Sequence, residues 1–195
     1  MARQKTTYDE KSIQTLDALE HIRLRTGMYI GRVGDGSNPA DGIYVMLKEV
    51  IDNSVDEFIM GKGRKIEITR YGSEVSVRDY GRGIPLGKVV ECVSQINTGG
   101  KYNDDVFQFS VGLNGIGNKA VNALSSEFEV VSYRDGKFKK ALFCRGKKTE
   151  ERKGSDPKAS DGTLIRFIPD TEIFNDYEWR EEYIEDRLRY YAFLN

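Results

Sequence analysis

Glu49-Val50-Ile51-Asp52-Asn53-Ser54-Val55-Asp56-Glu57 places four carboxylates and one amide within nine residues. Glu49, Asn53 and Glu57 lie four apart, so on a helix they form one stripe with about 40° of drift per step. Val50 and Ile51 argue that this helix is largely buried. Two readings compete for the stripe. One is a solvated acidic face. The other is a site for a hard cation, since an amide oxygen with carboxylates suits Mg²⁺, which takes few protein ligands beside phosphate oxygens. Four acids beside an asparagine make a poor stability device, and a cation would neutralise them.

Outward from this string, Asp41 to Met60 reads as one long helix. Upstream, Ser12 can cap a helix running to Arg25, with Ile13, Leu16, Leu19 and Ile22 at helical spacing. A glycine-rich connection follows from Gly27 to Asn38. Downstream, Lys65–Arg70 and Glu74–Arg78 alternate like strands around Gly72-Ser73. Leu86–Ile96 is expected to be helical, Thr98–Ser110 a polar connection, and Asn118–Leu124 a helix. Phe128–Tyr133 and Lys137–Phe143 should pair about Asp135-Gly136, a good hairpin turn. Arg145–Gly162 is charged and poor in apolar residues, and is expected to be a loop. Thr163–Ile168 reads as a strand. Tyr177–Phe193 reads as an amphipathic helix carrying Trp179, Tyr183, Leu188 and Tyr191. Strands in hairpins with helices between them predict an α+β chain. The expected form is a two-layer α/β sandwich: a mixed, mainly antiparallel sheet with helices on one face.

Composition narrows the chemistry. The chain has 195 residues, one histidine (His21) and two distant cysteines, Cys92 and Cys144. That set cannot build a standard zinc site. A histidine-dependent nucleophile system would need His21, which reads as a helix-surface residue. No apolar run is long enough for a membrane span, and Met1–Lys11 lacks the apolar core of a signal peptide. A cytoplasmic location is the default expectation. A net charge of −1 does not mark a general nucleic-acid binder.

Glycine is in surplus and unevenly placed. Of 20 glycines, eight fall between Gly81 and Gly117, where an even spread would give roughly four. Such clusters are either surface turns or loops that let backbone approach a ligand. No Gly-Lys pair is followed by Ser or Thr, so there is no P-loop. Gly81–Gly87 and Gly112–Gly117 both miss the dinucleotide-binding spacing. Asp79-Tyr80-Gly81-Arg82-Gly83 ends a strand. Its ionised Asp accepts hydrogen bonds only, which suits the amino group of a base such as adenine; a plain turn with a solvated Asp is the alternative. Gly112–Gly117 opening into a helix offers backbone N–H groups to an anion, and Lys101 could add a point charge.

Together these segments resemble the ATP-binding (Bergerat) domain of the GHKL superfamily, in its bacterial type IIA topoisomerase branch, at the end of the B chain that carries the ATPase. The resemblance covers nearly the whole chain. It is carried by Gly27-Met28-Tyr29-Ile30-Gly31, Glu49–Glu57, Asp79–Pro85, Thr98-Gly99-Gly100-Lys101-Tyr102, Val111–Gly117, Val121-Asn122-Ala123-Leu124-Ser125 and Gly162-Thr163, in the family's order. The short segment between Pro85 and Gly99 favours the topoisomerase IV type over the gyrase type.

The resemblance implies residue roles. Glu49 is the general base that polarises the attacking water. Asn53 binds Mg²⁺, with Asp56 in the same cofactor-binding string. Asp79 accepts from the adenine amino group, with Thr163 beside it. Glu57 and Arg82 form an ion pair at the pocket mouth. Gly83, Ile84 and Pro85 wall the adenine. Lys101 and the amides of Gly112, Leu113, Asn114, Gly115, Ile116 and Gly117 hold the phosphates as a lid. Tyr8 lies in an N-terminal arm, over about residues 1–15, that reaches into a partner subunit's site. Arg134 sits where aminocoumarin inhibitors make contact. Thr26, Tyr80, Val111 and Asn114 depart from the family's usual residues without removing a catalytic group.

Residues 1–195 are thus expected to form a single ATP-binding domain, with the family's transducer and DNA-cleavage regions absent. Such a domain should bind ATP and hydrolyse it poorly alone. The implied partners are a topoisomerase A subunit, DNA, and a second copy in an ATP-dependent homodimer of longer chains. Another GHKL ATPase, of mismatch-repair or chaperone type, and a non-catalytic nucleotide-sensing module are the competing readings.

Overall fold

The computed structural model describes residues 15–99 and 115–194. In chain order the elements are α1 (Ala18–Leu24), α2 (Thr26–Ile30), α3 (Gly42–Ile59), β1 (Ile66–Tyr71), β2 (Glu74–Asp79), α4 (Val89–Ser94), α5 (Gly117–Ala123), β3 (Ser125–Arg134), β4 (Lys137–Cys144), β5 (Lys147–Ser155), β6 (Gly162–Pro169) and α6 (Glu181–Leu194). A short 3-10 turn over Leu86–Lys88 leads into α4.

The six strands form one sheet in the order β1-β2-β6-β3-β4-β5. Every pairing is antiparallel, so the expected parallel component is not found among the described residues. Sheet and helices meet in one apolar core. Val75, Val77, Phe128, Val130, Ile165 and Phe167 from the strands join Ile43, Met46, Leu47, Val50 and Ile51 from α3. The alternate positions of the strands carry charge instead. Arg166 bonds Glu74 at 2.5 Å and Glu129 at 3.4 Å. This period of two fixes the register, because a one-residue slip would bury these charges.

α3 begins after Asp41, whose extended backbone (φ −68°, ψ 149°) sets the N-terminus. The buried Asp41 side chain instead accepts from the N–H groups of Gly36 (3.0 Å) and Asn38 (3.1 Å), tying the incoming loop to the helix. Gly61, at φ 70°, ends it. The β3–β4 hairpin turns as expected on Asp135 (φ 55°) and Gly136 (φ 69°), a pair of left-handed residues that matches the strand twist.

Four expectations change. The helix anticipated from Ser12 starts only at Ala18, where Asp17 accepts from the Glu20 N–H at 2.8 Å; Ser12 itself lies outside the described residues. The first part of the anticipated Gly27–Asn38 connection is helical, as α2. The anticipated C-terminal helix begins at Glu181, and Trp179 sits before it with Nε1 donating to Ser73 O at 3.2 Å. The anticipated Arg145–Gly162 loop contains β5. This strand escapes an apolar-pattern reading because it is an exposed edge, where charge is the expected filling. Arg145 (φ 53°) and Gly146 (φ 81°) repeat the hairpin-turn geometry before it. Glu151 pins it to β4 through Lys139 at 2.5 Å, and Lys148 of β5 itself reaches the same carboxylate at 2.5 Å. Hydrogen bonds from these two lysines draw the Glu151 carboxyl down to about 2.

Candidate functional site

α3 supplies one wall. Glu49 is half-buried and lies over the first turn of α5. A Cβ on Gly117 would stand 2.1 Å from Glu49 Oε2, so a larger residue there would displace the Glu49 carboxylate. One turn on, Asn53 Nδ2 donates to Glu49 O (2.6 Å) and to Asn118 Oδ1 (3.3 Å). These bonds orient the amide so that its oxygen is the atom suited to a hard cation. One turn further, Glu57 grips Arg82 twice, Oε1 to Nη2 at 2.8 Å and Oε2 to Nε at 3.0 Å. Glu57 Oε2 also accepts the Arg82 N–H at 2.9 Å. Such two-pronged, charge-assisted geometry fixes orientation as well as distance.

The end of β2 supplies the floor. Asp79 is 7% exposed, and its Oδ1 accepts from the N–H groups of Gly81 (2.9 Å) and Thr163 (3.1 Å). Burial pushes its carboxyl above the usual range, and these two N–H groups pull it partly back. The backbone after it is held closely. Gly83 has φ 69°, and a Cβ there would lie 2.5 Å from Tyr133 O. Ser132 Oγ donates to Ile84 O at 2.7 Å, and Arg134 Nη1 reaches Gly83 O at 3.4 Å. Pro85 is exposed and opens the 3-10 turn, while Ile84 packs against the core.

The structure therefore brings Glu49, Asn53, Gly117 and Asn118 together along the middle of α3. It gathers Glu57, Asp79, Gly81, Arg82, Gly83, Ile84, Thr163 and Arg134 beside its C-terminal end. Gly115, at φ 61°, and Ile116 lead into α5. Tyr8, Lys101, Gly112, Leu113 and Asn114 lie outside the described residues, as do Val111 and most of the Thr98–Ser110 connection.

The pooled acidic cluster is corrected. Asp52 is turned to Lys48 and the Tyr191 hydroxyl, and Glu57 is held by Arg82, so protein cations answer two of the four acids. Asp56 is fully buried within α3. Among the described residues no three His, Cys, Asp or Glu side chains come together as a metal-binding group. A cation at Asn53 would thus rely on few protein ligands, which is the Mg²⁺ habit. His21 is also reassigned: it is half-buried, with Nδ1 bonded to the Tyr29 hydroxyl at 2.8 Å. A hollow of about 400 Å³ lies beside it, lined by Leu16, Asp17, Ala18, Tyr29 and Ile96, and contains none of the site residues.

Three contributors were not singled out from sequence, and Gly162, quoted there within a motif, was given no role. The Arg78 guanidinium lies 4.8 Å from the Tyr80 ring and 4.6 Å from the Tyr133 ring, and donates to Asp79 O at 2.7 Å. Gly162 packs so tightly that a Cβ would stand 2.2 Å from Asp79 O. Buried Lys119 donates to Thr98 O at 2.7 Å, linking α5 to the segment before Gly100. Ser132 could have been found as a polar residue within the otherwise apolar Val130–Tyr133 run.

A family model described as histidine kinase-, DNA gyrase B-, and HSP90-like ATPase matches residues 38–172. The B subunit of DNA topoisomerase 4 from Borreliella burgdorferi is 63% identical over 190 residues, 96% of this chain and 31% of that protein. The B subunit of DNA gyrase from Borrelia hermsii is 38% identical over 198 residues, 97% of this chain and 30% of that protein. The chain thus spans about a third of the length of these curated relatives. Among solved structures, the 43K ATPase domain of Thermus thermophilus gyrase B, in complex with an aminocoumarin, matches with a TM-score of 0.75. It is 32% identical, and the match covers 90% of this chain and 45% of that one.

Proposed function

This chain belongs to the family of histidine kinase-, DNA gyrase B- and HSP90-like ATPases, and on that premise we propose that it binds and hydrolyses ATP to drive DNA strand passage by a type IIA topoisomerase. The observation that carries the proposal is Asp79: a buried carboxylate with one oxygen committed to two backbone N–H groups and the other left to accept a ligand's amino hydrogen. Adenine offers that donor. Gly83, held at positive φ against Tyr133, gives a flat ring access to the backbone.

Glu49 would take the proton of the water that attacks the terminal phosphate. Asn53 Oδ1 would hold Mg²⁺, which when bound neutralises charge on the phosphate oxygens. Arg82, tethered by Glu57, would guard the mouth, with Arg134 at the edge that an aminocoumarin would touch. Lys101 and the amides of Gly112–Gly117 would close on the phosphates, excluding water and completing the site. Phosphoryl transfer to water is mostly positioning and charge stabilisation, and these residues supply both.

The topoisomerase IV type is preferred over the gyrase type, on 63% identity to the former from Borreliella against 38% to the latter from Borrelia. The same identity argues against the mismatch-repair and chaperone types. The proposed partners are an A subunit, DNA and a second copy engaged through the arm that holds Tyr8. The proposed compartment is the cytoplasm; no helix among the described residues is long and apolar enough to cross a membrane. A full-length topoisomerase chain carrying this domain, reconstituted with its A subunit, should decatenate DNA in an ATP-dependent manner without introducing negative supercoils. Supercoiling would assign it to the gyrase type, and the absence of any ATP-dependent strand passage would contradict the proposal.

A further inference from the structure

Asp52 has no part in the chemistry proposed above, yet its surroundings are costly. Its side chain is 2% exposed and sits on α3 between Glu49 and Asn53 in sequence. Oδ2 pairs with Lys48 Nζ, and Oδ1 accepts the hydroxyl of Tyr191 from α6. Burying a carboxylate is unfavourable unless it is paired and hydrogen-bonded. An apolar pair at 52 and 191 would hold the two helices together without that penalty. Burial first, and then Asp52, pushes the Tyr191 phenol far up, so it remains a donor.

From α6, Tyr183, Ile184, Leu188 and Tyr191 pack against the core, and the Tyr183 ring meets Tyr44 of α3 edge-on at 5.5 Å. α6 contains no buried residue. Its other polar contacts to distant elements, among the described residues, are few. Tyr183 donates to Ser37 O at 3.1 Å, Arg187 reaches Pro39 O at 3.4 Å, and an Arg70–Glu181 pair stands at 3.6 Å. Two of the three fall on the segment that leads into α3. The Tyr191 bond is the only one of these polar contacts that enters α3 itself, and it does so one turn from Glu49.

We infer that Tyr191, acting through Asp52, holds α3 at the rotation and depth at which Glu49 and Asn53 meet the nucleotide, so that the seating of α6 sets the rate of hydrolysis. The inference rests on the reading of Glu49 as the base. Tyr191 is a positioning residue and touches none of the reacting atoms. A displacement of about 1 Å in a catalytic group can cost 10²-fold in rate, and a partial shift of α3 should cost less.

The test compares Tyr191→Phe, Asp52→Asn and the double variant. Tyr191→Phe keeps the ring and its packing, so it should fold. Its kcat for ATP should fall about tenfold, with KM changed by less than about twofold. The double variant should be no worse than the more affected single one, because both remove the same link. Without nucleotide, amide hydrogen exchange over Glu49–Glu57 should quicken in Tyr191→Phe and stay unchanged in β3. Unchanged exchange together with unchanged kcat would overturn the inference, and so would single effects that add. Failure of the wild-type chain to bind an ATP analogue would instead contradict the proposed function, and the exchange measurement would still decide whether Tyr191 holds α3.

Discussion

Replacing Glu49 by Gln is expected to lower ATP turnover by roughly 10²–10⁴-fold, the usual worth of a general base. Binding of an ATP analogue should be nearly unchanged, since the group acts on the water and not on the ground-state nucleotide. Gln has nearly the volume of Glu, so the close approach of the side chain to Gly117 survives. What is lost is the charge that takes the proton. The measurement is steady-state hydrolysis beside calorimetric binding, on the same preparations. Full turnover in Glu49→Gln would remove this residue from the chemistry and contradict its assignment as the base. A parallel loss of binding would mean that the substitution disturbs α3 itself.

Asp79→Asn is expected to weaken nucleotide binding by about 10–10²-fold. A hydrogen bond to a charged group is worth about 1.5–3 kcal/mol, and each 1.4 kcal/mol is about tenfold in affinity. The geometry sets the sign. Asn must give its single oxygen to the N–H groups of Gly81 and Thr163, as Asp79 Oδ1 does at 2.9 and 3.1 Å. Its amino group then occupies the second position and meets the adenine amino group donor to donor. The folded state should not suffer in proportion, because Asn removes a buried charge. Acid should act through the same group. The folded pKa of Asp79 is raised above 3.8, mainly by burial. Affinity should therefore fall as pH drops through that raised value and the acceptor becomes protonated. The group's contribution to folding runs the other way: between 3.8 and the folded pKa, stability declines as pH rises. An Asn variant that binds as tightly as wild type would move the base-recognition site elsewhere.

Much of this architecture is legible in the residues. The period of α3 and the Asp135-Gly136 turn are local signals, and local physics decides them. Edge strand β5 was not legible, because its cross-strand partners Lys139 and Glu151 can be matched only once β4 is in place. The same limit explains Asp52. Its helical neighbours suggested a shared cation, while the group that engages it, Tyr191, lies 139 residues away. The Glu57–Arg82 pair came from resemblance, and its two-pronged geometry supports that reading. Arg78 was not legible, and Gly162 appeared only as part of a motif, because their meaning lies in backbone contacts at Asp79, which no spacing encodes.

The central claim is that Asp79 reads a base through its amino group. The direct measurement is calorimetric titration of the unmodified chain with non-hydrolysable ATP and GTP analogues in excess Mg²⁺. Adenine presents a donor to Asp79, where guanine presents a carbonyl. The account predicts one site per chain for the ATP analogue and no measurable binding of the GTP analogue at the same concentrations. Equal binding of the two, or no binding of the ATP analogue, would contradict it.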